Sequence, residues 1–396
     1  MMLMTNLEEY YSIGLMSGTS MDGVDAALIK TDGLQKITFI SSATVDYAPR
    51  FHTLLKKTEA LIQSQNGVFN EDQLILGEGV SIQEVVKEST NYHTQAVQKI
   101  LDYFPADRTK PWVIGYHGQT FYHQVAQKKT VILGLPQTLA TNFQIPTVFD
   151  FRKNDISYGG EGAPFAPLYH YALCTNNKLT PAAIINCGGI SNISFIPNDD
   201  INKIQAFDIG PGNTLIDRLV RLKTNGSMMM DVDGLFGKQG KCQKNLIQTL
   251  IDKTCIKNLF YERRGPKSLD VHDFQLPQEI LNLSIEDACA TLADFTSYLI
   301  VQSIAPLQLN NIVLSGGGWK NPLILEGLHY HIKKTLPKKE IRIDYADSFG
   351  FRSQSMEAEL FAYLAVRSLK KMPLSLPNTT NVPYPLTGGV VFQSSF

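Results

Sequence analysis

The stretch Gly14–Ile29, "GLMSGTSMDGVDAALI", constrains this chain more than any other segment, because its glycine turn joins strand to strand. The lead-in "YSIGLM" and the exit "VDAALIKT" are rich in β-type residues and lack a helical period. In P-loop and dinucleotide-binding folds the glycine turn opens a helix instead. Hydroxyls and an aspartate crowd this turn, which predicts a phosphate site built as a concavity of backbone N–H groups.

The same grammar returns in the second half. "PAAIINCGGISNISFI" is again strand, glycine turn and strand. "IQAFDIGPGNTLIDRLV" reads as a strand carrying Asp208, a glycine turn, then a helix that Asn213 or Thr214 is placed to cap. "NNIVLSGGGWKNPLILEGL" reads as strand, three glycines and helix. A lone glycine turn is ordinarily no more than a turn. Here four of them, at Gly18, Gly188–Gly189, Gly210–Gly212 and Gly316–Gly318, each follow an apolar strand. Strand carboxyl ends are where open α/β sheets bind ligands. The repetition predicts duplicated α/β domains facing a shared cleft.

Composition agrees and narrows the function. At 396 residues the chain is long enough for two domains or three, taking roughly 100–200 residues each. Hydrophobic residues make up 43% and charged ones 18%, which suits sizeable cores. A net charge of −1 without long single-sign runs leaves no electrostatic footprint for nucleic acid or an anionic membrane. No apolar stretch reaches the ~18 residues of a spanning helix. "MMLMTNLEEYYS" has two glutamates and no basic residue, a poor secretion signal. The five cysteines, Cys174, Cys187, Cys242, Cys255 and Cys289, contain no C-x-x-C. They are expected to be reduced thiols of a cytoplasmic protein. Glycine- and proline-rich "RKNDISYGGEGAPFAP" is expected to cross between domains, and the proline-rich tail to return to the first.

Among candidate side chains, Thr19 and Ser20 can donate hydroxyl hydrogen bonds, and Asp22 or Asp25 can hold Mg²⁺ through water. Asp208 at a strand end is either a turn-ordering aspartate or a general base. His117 in "GYHGQT" is a core histidine or a polar strand-end group. Glu357 opens a helix whose acids and bases follow the macrodipole. Arg152 in "FDFRKND" either pairs with Asp155 or serves a ligand. "DVDG" at 231–234 is too short for a calcium loop.

Eight motifs carry a family resemblance: "GLMSGTSMDGVD", "HGQT", "DFR..D", "GG.GAP", "GGISNIS", "FD.GPGN", "GGG..NP" and "MEAELFAYLA". In this order, across almost the whole length, they resemble the 1,6-anhydro-N-acetylmuramic acid kinases of the sugar kinase/Hsp70/actin superfamily. The resemblance implies two duplicated RNase H-like/actin-like domains with an inter-domain ATP cleft that closes on its ligands. Residues 1–148 plus 376–396 would form one domain and 149–375 the other. It implies an ATP-dependent reaction in which water opens the 1,6-anhydro bridge while O6 takes the γ-phosphoryl group, yielding N-acetylmuramic acid 6-phosphate for cell-wall recycling. Asp208 would be the base. Gly18, Thr19, Ser20, Met21, Asp22, Gly23, Val24 and Asp25 would form the ATP-phosphate loop, with Asp22 near Mg²⁺. Gly188, Gly189, Asn192, Gly210, Gly212, Asn213, Gly316, Gly317 and Gly318 would complete the nucleotide site. His117, Gln119, Arg152 and Glu357 would line the sugar side. A homodimer is implied as well.

Four departures from the family pattern are present: Leu135 in "LGLP", Glu161 for glutamine, Ile209 for threonine, and "KSLDVHDF", which differs at Leu269–Val271. A kinase for another anhydro sugar such as levoglucosan, or an Hsp70/actin-type ATPase module, are the alternative readings.

Overall fold

A computed structural model describes residues 8–18, 20–124, 127–253, 269, 271–337 and 339–394, with the side chain of residue 272 left aside. Thr19, Cys255 and parts of the "KSLDVHDF" segment lie outside them. The chain divides into two compact units, 1–176 with 354–396, and 177–353.

The first unit is built on a seven-stranded sheet. β1 (Tyr10–Ser17), β2 (Gly23–Thr31) and β3 (Ile37–Asp46) form an antiparallel meander. β4 (Trp112–Gln124) lies parallel to β1, and β6 (Thr147–Phe149) parallel to β4. β5 (Lys129–Leu133) pairs with the far end of β4. The second unit repeats the order in five strands: β7 (Ala182–Cys187), β8 (Ile190–Ile196) and β9 (Gln205–Pro211) as the meander, then β10 (Asn311–Ser315) and β11 (Arg342–Tyr345) in parallel. Near the C-terminus β12 (Val390–Phe392) pairs with β6. The repeated α/β arrangement expected from the sequence is visible as one strand order used twice.

Each sheet carries its own core. In the first unit Ile13, Leu15, Leu28 and Ile114 are fully buried against Leu55, Val85, Val97 and Ile100. The helix Ile82–Tyr103 that supplies the last three begins with a reciprocal cap: Ser81 Oγ accepts from Glu84 N, and Glu84 Oε2 accepts from Ser81 N at 2.8 Å. Such a cap contributes about 1 kcal/mol. In the second unit Ile185, Leu219, Leu292, Phe295 and Trp319 are buried together.

The helix Met356–Leu369 packs on the other face of the first sheet. Gly14 and Gly115 stand side by side in the β1–β4 register. A Cβ on either would overlap helix backbone, the Ala358 carbonyl for Gly14 and the Phe361 carbonyl for Gly115. The glycine pair thus makes a flat seat for the helix, and Ser12 Oγ locks it by donating to Ala362 O at 2.7 Å.

This docking explains a correction to the expected division. Residues 149–176 and 354–375 are expected in the second domain. They fold with the first unit instead. The glycine- and proline-rich segment contains a short helix, Lys153–Ser157, and continues into the helix Ala166–Asn176. Its glycines are packed in place: Gly162 N donates to Asp155 Oδ1 at 2.6 Å, and a Cβ on Gly160 would overlap that same oxygen.

Candidate active site

In the first unit the parallel register brings the carboxyl ends of β1, β4 and β6 to one sheet edge, with Ser17 beside Gln119. The β1–β2 turn closes when Met21 N donates to Gly18 O at 3.2 Å. Met21 pays for the tight turn with a left-handed φ of 57° and is fully buried. Ser20 Oγ donates to Asp22 Oδ1 at 2.9 Å, and Tyr47 N donates to Asp22 O at 2.8 Å. Gly23 is fixed by packing, since a Cβ there would lie 2.7 Å from Val45 O. Gly18 is not: its Cβ would meet nothing nearer than Ser20 Oγ at 3.5 Å.

Asp25 accepts from Thr44 Oγ1 at 2.6 Å. Burial raises its carboxyl above the ordinary value, the Thr44 bond opposes this, and the charges of Asp22 and Asp46 raise it further. Glu357, at the start of the helix on the glycine seat, is raised by burial and by Asp25, while Arg152 pulls it down. Its side chain remains open to water.

Arg152 follows β6. Its Nη1 donates to Gly162 O at 2.7 Å, Nη2 donates to His117 Nε2 at 3.2 Å, and the guanidinium lies 5.6 Å from the Phe165 ring centre. Burial lowers its pKa to about 10, against the pull of Asp155 and Glu357. The Nε–H is buried without a partner among the described residues. His117 Nδ1 must donate to Gly118 O, 2.9 Å away, because a carbonyl can only accept. Its Nε2 is then the acceptor for Arg152, which assigns the tautomer. Burial and then Arg152 hold the imidazole far below its usual pKa, so it stays neutral.

Two of the "HGQT" side chains are enclosed, His117 at 3% exposure and Gln119 at 0%. The expectation that they line the sugar side meets this enclosure: their polar atoms are spent on protein partners. His117 holds Arg152; Gln119 holds the β1–β2 turn.

In the second unit three glycine turns interlock at the carboxyl edge. Gly212 N donates to Gly189 O and Asn213 N to Gly188 O, both at 2.8 Å. A Cβ on Gly212 would overlap the Gly188 carbonyl. Gly316, at φ 92°, leaves only 2.5 Å between a Cβ and Asn186 Oδ1. Gly318 is pressed against Cys187, its Cβ position 2.9 Å from the carbonyl oxygen. By contrast Gly188 and Gly189 have ordinary clearance, and a Cβ on Gly317 would meet nothing within 4 Å. No positive φ demands glycine at Gly18, Gly188, Gly189 or Gly317 either. These four glycines are unexplained by folding.

Asp208 on β9 pairs in register with Asn192 on β8, and its Oδ2 accepts from Leu269 N at 2.8 Å. Gly210 and Ile209 follow it on the strand, Ile209 fully buried. The helix Thr214–Lys223 starts at the interlocked turns, with Asn213 in the cap position. Neither expected side-chain cap forms: the Asn213 amide makes no cap bond and lies near Gly318.

The sequence profile of anhydro-N-acetylmuramic acid kinases matches residues 9–394. The chain belongs to that family. Curated relatives of that name include those of Zymomonas mobilis, 37% identical over 96% of this chain and 98% of its own length, and Pelagibacter ubique, 34% identical over 98% and 100%. That of Nitrobacter winogradskyi is 36% identical over 96% and 98%. No helix among the described residues is long and apolar enough to cross a membrane. Four cysteines, Cys174, Cys187, Cys242 and Cys289, are unbridged.

Two contributors were not singled out from sequence. Ser17 and Tyr47 tie the hairpin turn together, Tyr47 OH donating to Ser17 Oγ at 3.0 Å. Their only signal was adjacency to a strand end.

Proposed function

We propose that this chain is the ATP-dependent enzyme that hydrolytically opens 1,6-anhydro-N-acetylmuramic acid and phosphorylates its O6, giving N-acetylmuramic acid 6-phosphate and ADP in cell-wall recycling. The observation that carries the reading is the family match from residue 9 to residue 394.

In this reading Asp208 takes a proton from water as the water oxygen bonds to C1. The C1–O6 bond breaks with oxocarbenium character, so a carboxylate of ordinary basicity suffices. O6 gains negative charge as it leaves C1 and bonds to the γ-phosphorus, and the β–γ bridging oxygen departs with ADP. The bond from Leu269 N aims the Asp208 carboxylate. Phosphoryl transfer calls chiefly for positioning and charge stabilisation. The hairpin 18–25 and the roomy glycines 188, 189 and 317 let backbone approach the polyphosphate. Gly210, Gly212, Gly316 and Gly318 set the shape of the second unit's edge, with Asn192 and Asn213 beside it.

Mg²⁺ suits the hairpin chemically. Burial, and after it the charges of Asp22 and Asp46, raise Asp25, and a cation beside the carboxylates would oppose that rise. No group of three or more His, Cys, Asp or Glu among the described residues forms a metal cluster. Mg²⁺ in nucleotide sites is ordinarily held by one or two carboxylates together with phosphate oxygens. When bound, Mg²⁺ neutralises charge on the phosphoryl oxygens. The same reading has the enzyme cytoplasmic and homodimeric.

Arg152 and Glu357 are the charged groups for the sugar side. Arg152 offers a cation to the lactyl carboxylate that muramic acid carries and levoglucosan lacks. ADP release with each sugar tests the proposal. Turnover on the anhydromuramic substrate, with levoglucosan at least about tenfold poorer in kcat/KM, supports it. Equal rates, or ADP release without sugar, refute it.

A further inference from the structure

Gln119 was expected on the sugar side; its bonds run to the nucleotide side. Its Nε2 donates to Gly18 O at 3.2 Å, and more weakly to Thr120 O at 3.4 Å. Its Oε1 accepts from Ser17 Oγ at 2.6 Å, and Ser17 Oγ accepts from Tyr47 OH. Tyr47 N holds Asp22 O at the far end of the same turn. The chain of donors admits one arrangement. Tyr47 gives its proton to Ser17, Ser17 gives its own to the amide oxygen, and the amide N–H₂ is left facing the Gly18 carbonyl.

We propose that Gln119 is a positioning residue for ATP: its amide keeps the Gly18 carbonyl turned into the protein, away from where the polyphosphate binds. A carbonyl oxygen facing outward at that turn would repel a phosphate, whereas an inward one removes the negative end of the local dipole. Gly18 O accepts from both Met21 N and Gln119 Nε2, so the orientation is held from two sides. The Ser17–Gln119 link spans 102 positions of sequence and joins the carboxyl end of β1 to the middle of β4. The inference rests on the hairpin reading of the previous section.

Gln119→Met keeps the length and removes the donor. Gln119→Glu keeps the acceptor for Ser17 and sets a second oxygen against the Gly18 carbonyl. Affinity for a non-hydrolysable ATP analogue should fall in the order wild type, Met, Glu. The Glu variant should lose about tenfold or more, with KM for the anhydro sugar within twofold. Tyr47→Phe, which deletes only the hydroxyl that locks Ser17, should weaken analogue binding in the same direction and guards against misfolding at the enclosed position 119. Gly18→Val is the reference, since its Cβ has room in the protein. Analogue binding lost in Gly18→Val but kept in the Gln119 and Tyr47 variants overturns the Gln119 assignment alone. Binding kept in Gly18→Val overturns the hairpin reading with it. Equal loss of both substrates' affinities marks a merely structural role and also overturns the assignment.

Discussion

Adjacent glycines in the third turn of the second unit should respond oppositely to the same substitution. Gly318→Ala puts a methyl group against Cys187, in overlap with Sγ, 2.9 Å from the carbonyl oxygen and 3.1 Å from Asn213 Nδ2. Two of these three neighbours are on a β-strand that cannot yield cheaply, so the cost is that of overpacking, about 1–3 kcal/mol. Gly317→Ala meets nothing within 4 Å and needs no unusual φ. It should be neutral or stabilise by about 0.4–1 kcal/mol through the unfolded chain. In a domain of this size each kcal/mol moves Tm by roughly 2–4 °C. Thermal melts should therefore show Gly318→Ala lowered by several degrees and Gly317→Ala unchanged or slightly raised. Nucleotide binding reverses the ranking per folded molecule. If backbone at 317 approaches phosphate, a methyl group there weakens ATP by about tenfold, or 1.4 kcal/mol. Calorimetric titration with a non-hydrolysable analogue reads it. A Gly317→Ala protein that binds the analogue as tightly as wild type refutes the argument that this glycine is kept for a ligand.

Other outcomes follow from the same geometry. Asp208→Asn should fold and bind ATP while losing at least about 10²-fold in kcat, measured by coupled ADP release; a kcat within a few-fold of wild type places the base elsewhere. Burial, opposed by Arg221 and helped by Asp231, pushes Asp217 up to about 6. Its folded pKa thus exceeds the unfolded value near ~4, so its stabilising contribution is present below pH ~4 and lost as pH rises through about 6. Asp217→Asn should accordingly raise Tm at pH 8 and leave it unchanged at pH 4; a gain independent of pH contradicts the assignment.

The glycine turns were legible because each interrupts an apolar run with residues that few other conformations favour. In the second unit the edge follows once the strands pair, and its three turns interlock there. What the sequence left hidden depends on partners far apart along the chain. Gly14 and Gly115 read as interior strand glycines, and their purpose appears only when the 356–369 helix settles on them. Ser12 and its partner Ala362 lie 350 positions apart. Glycine-rich composition at 159–162 resembled a linker because packing against Asp155 leaves no local trace. His117 and Gln119 sit in a motif that also suits ligand contact; their burial and their bonds to Arg152 and Gly18 are not specified by a single sequence.

The central claim is that one turnover adds water across the anhydro bridge and phosphoryl to the oxygen released. Running the reaction in H₂¹⁸O and locating the label by mass spectrometry tests it most directly. The account predicts one ¹⁸O per product, at C1, with none in the 6-phosphate. Product without label at C1, or label in inorganic phosphate with the sugar unopened, would contradict it.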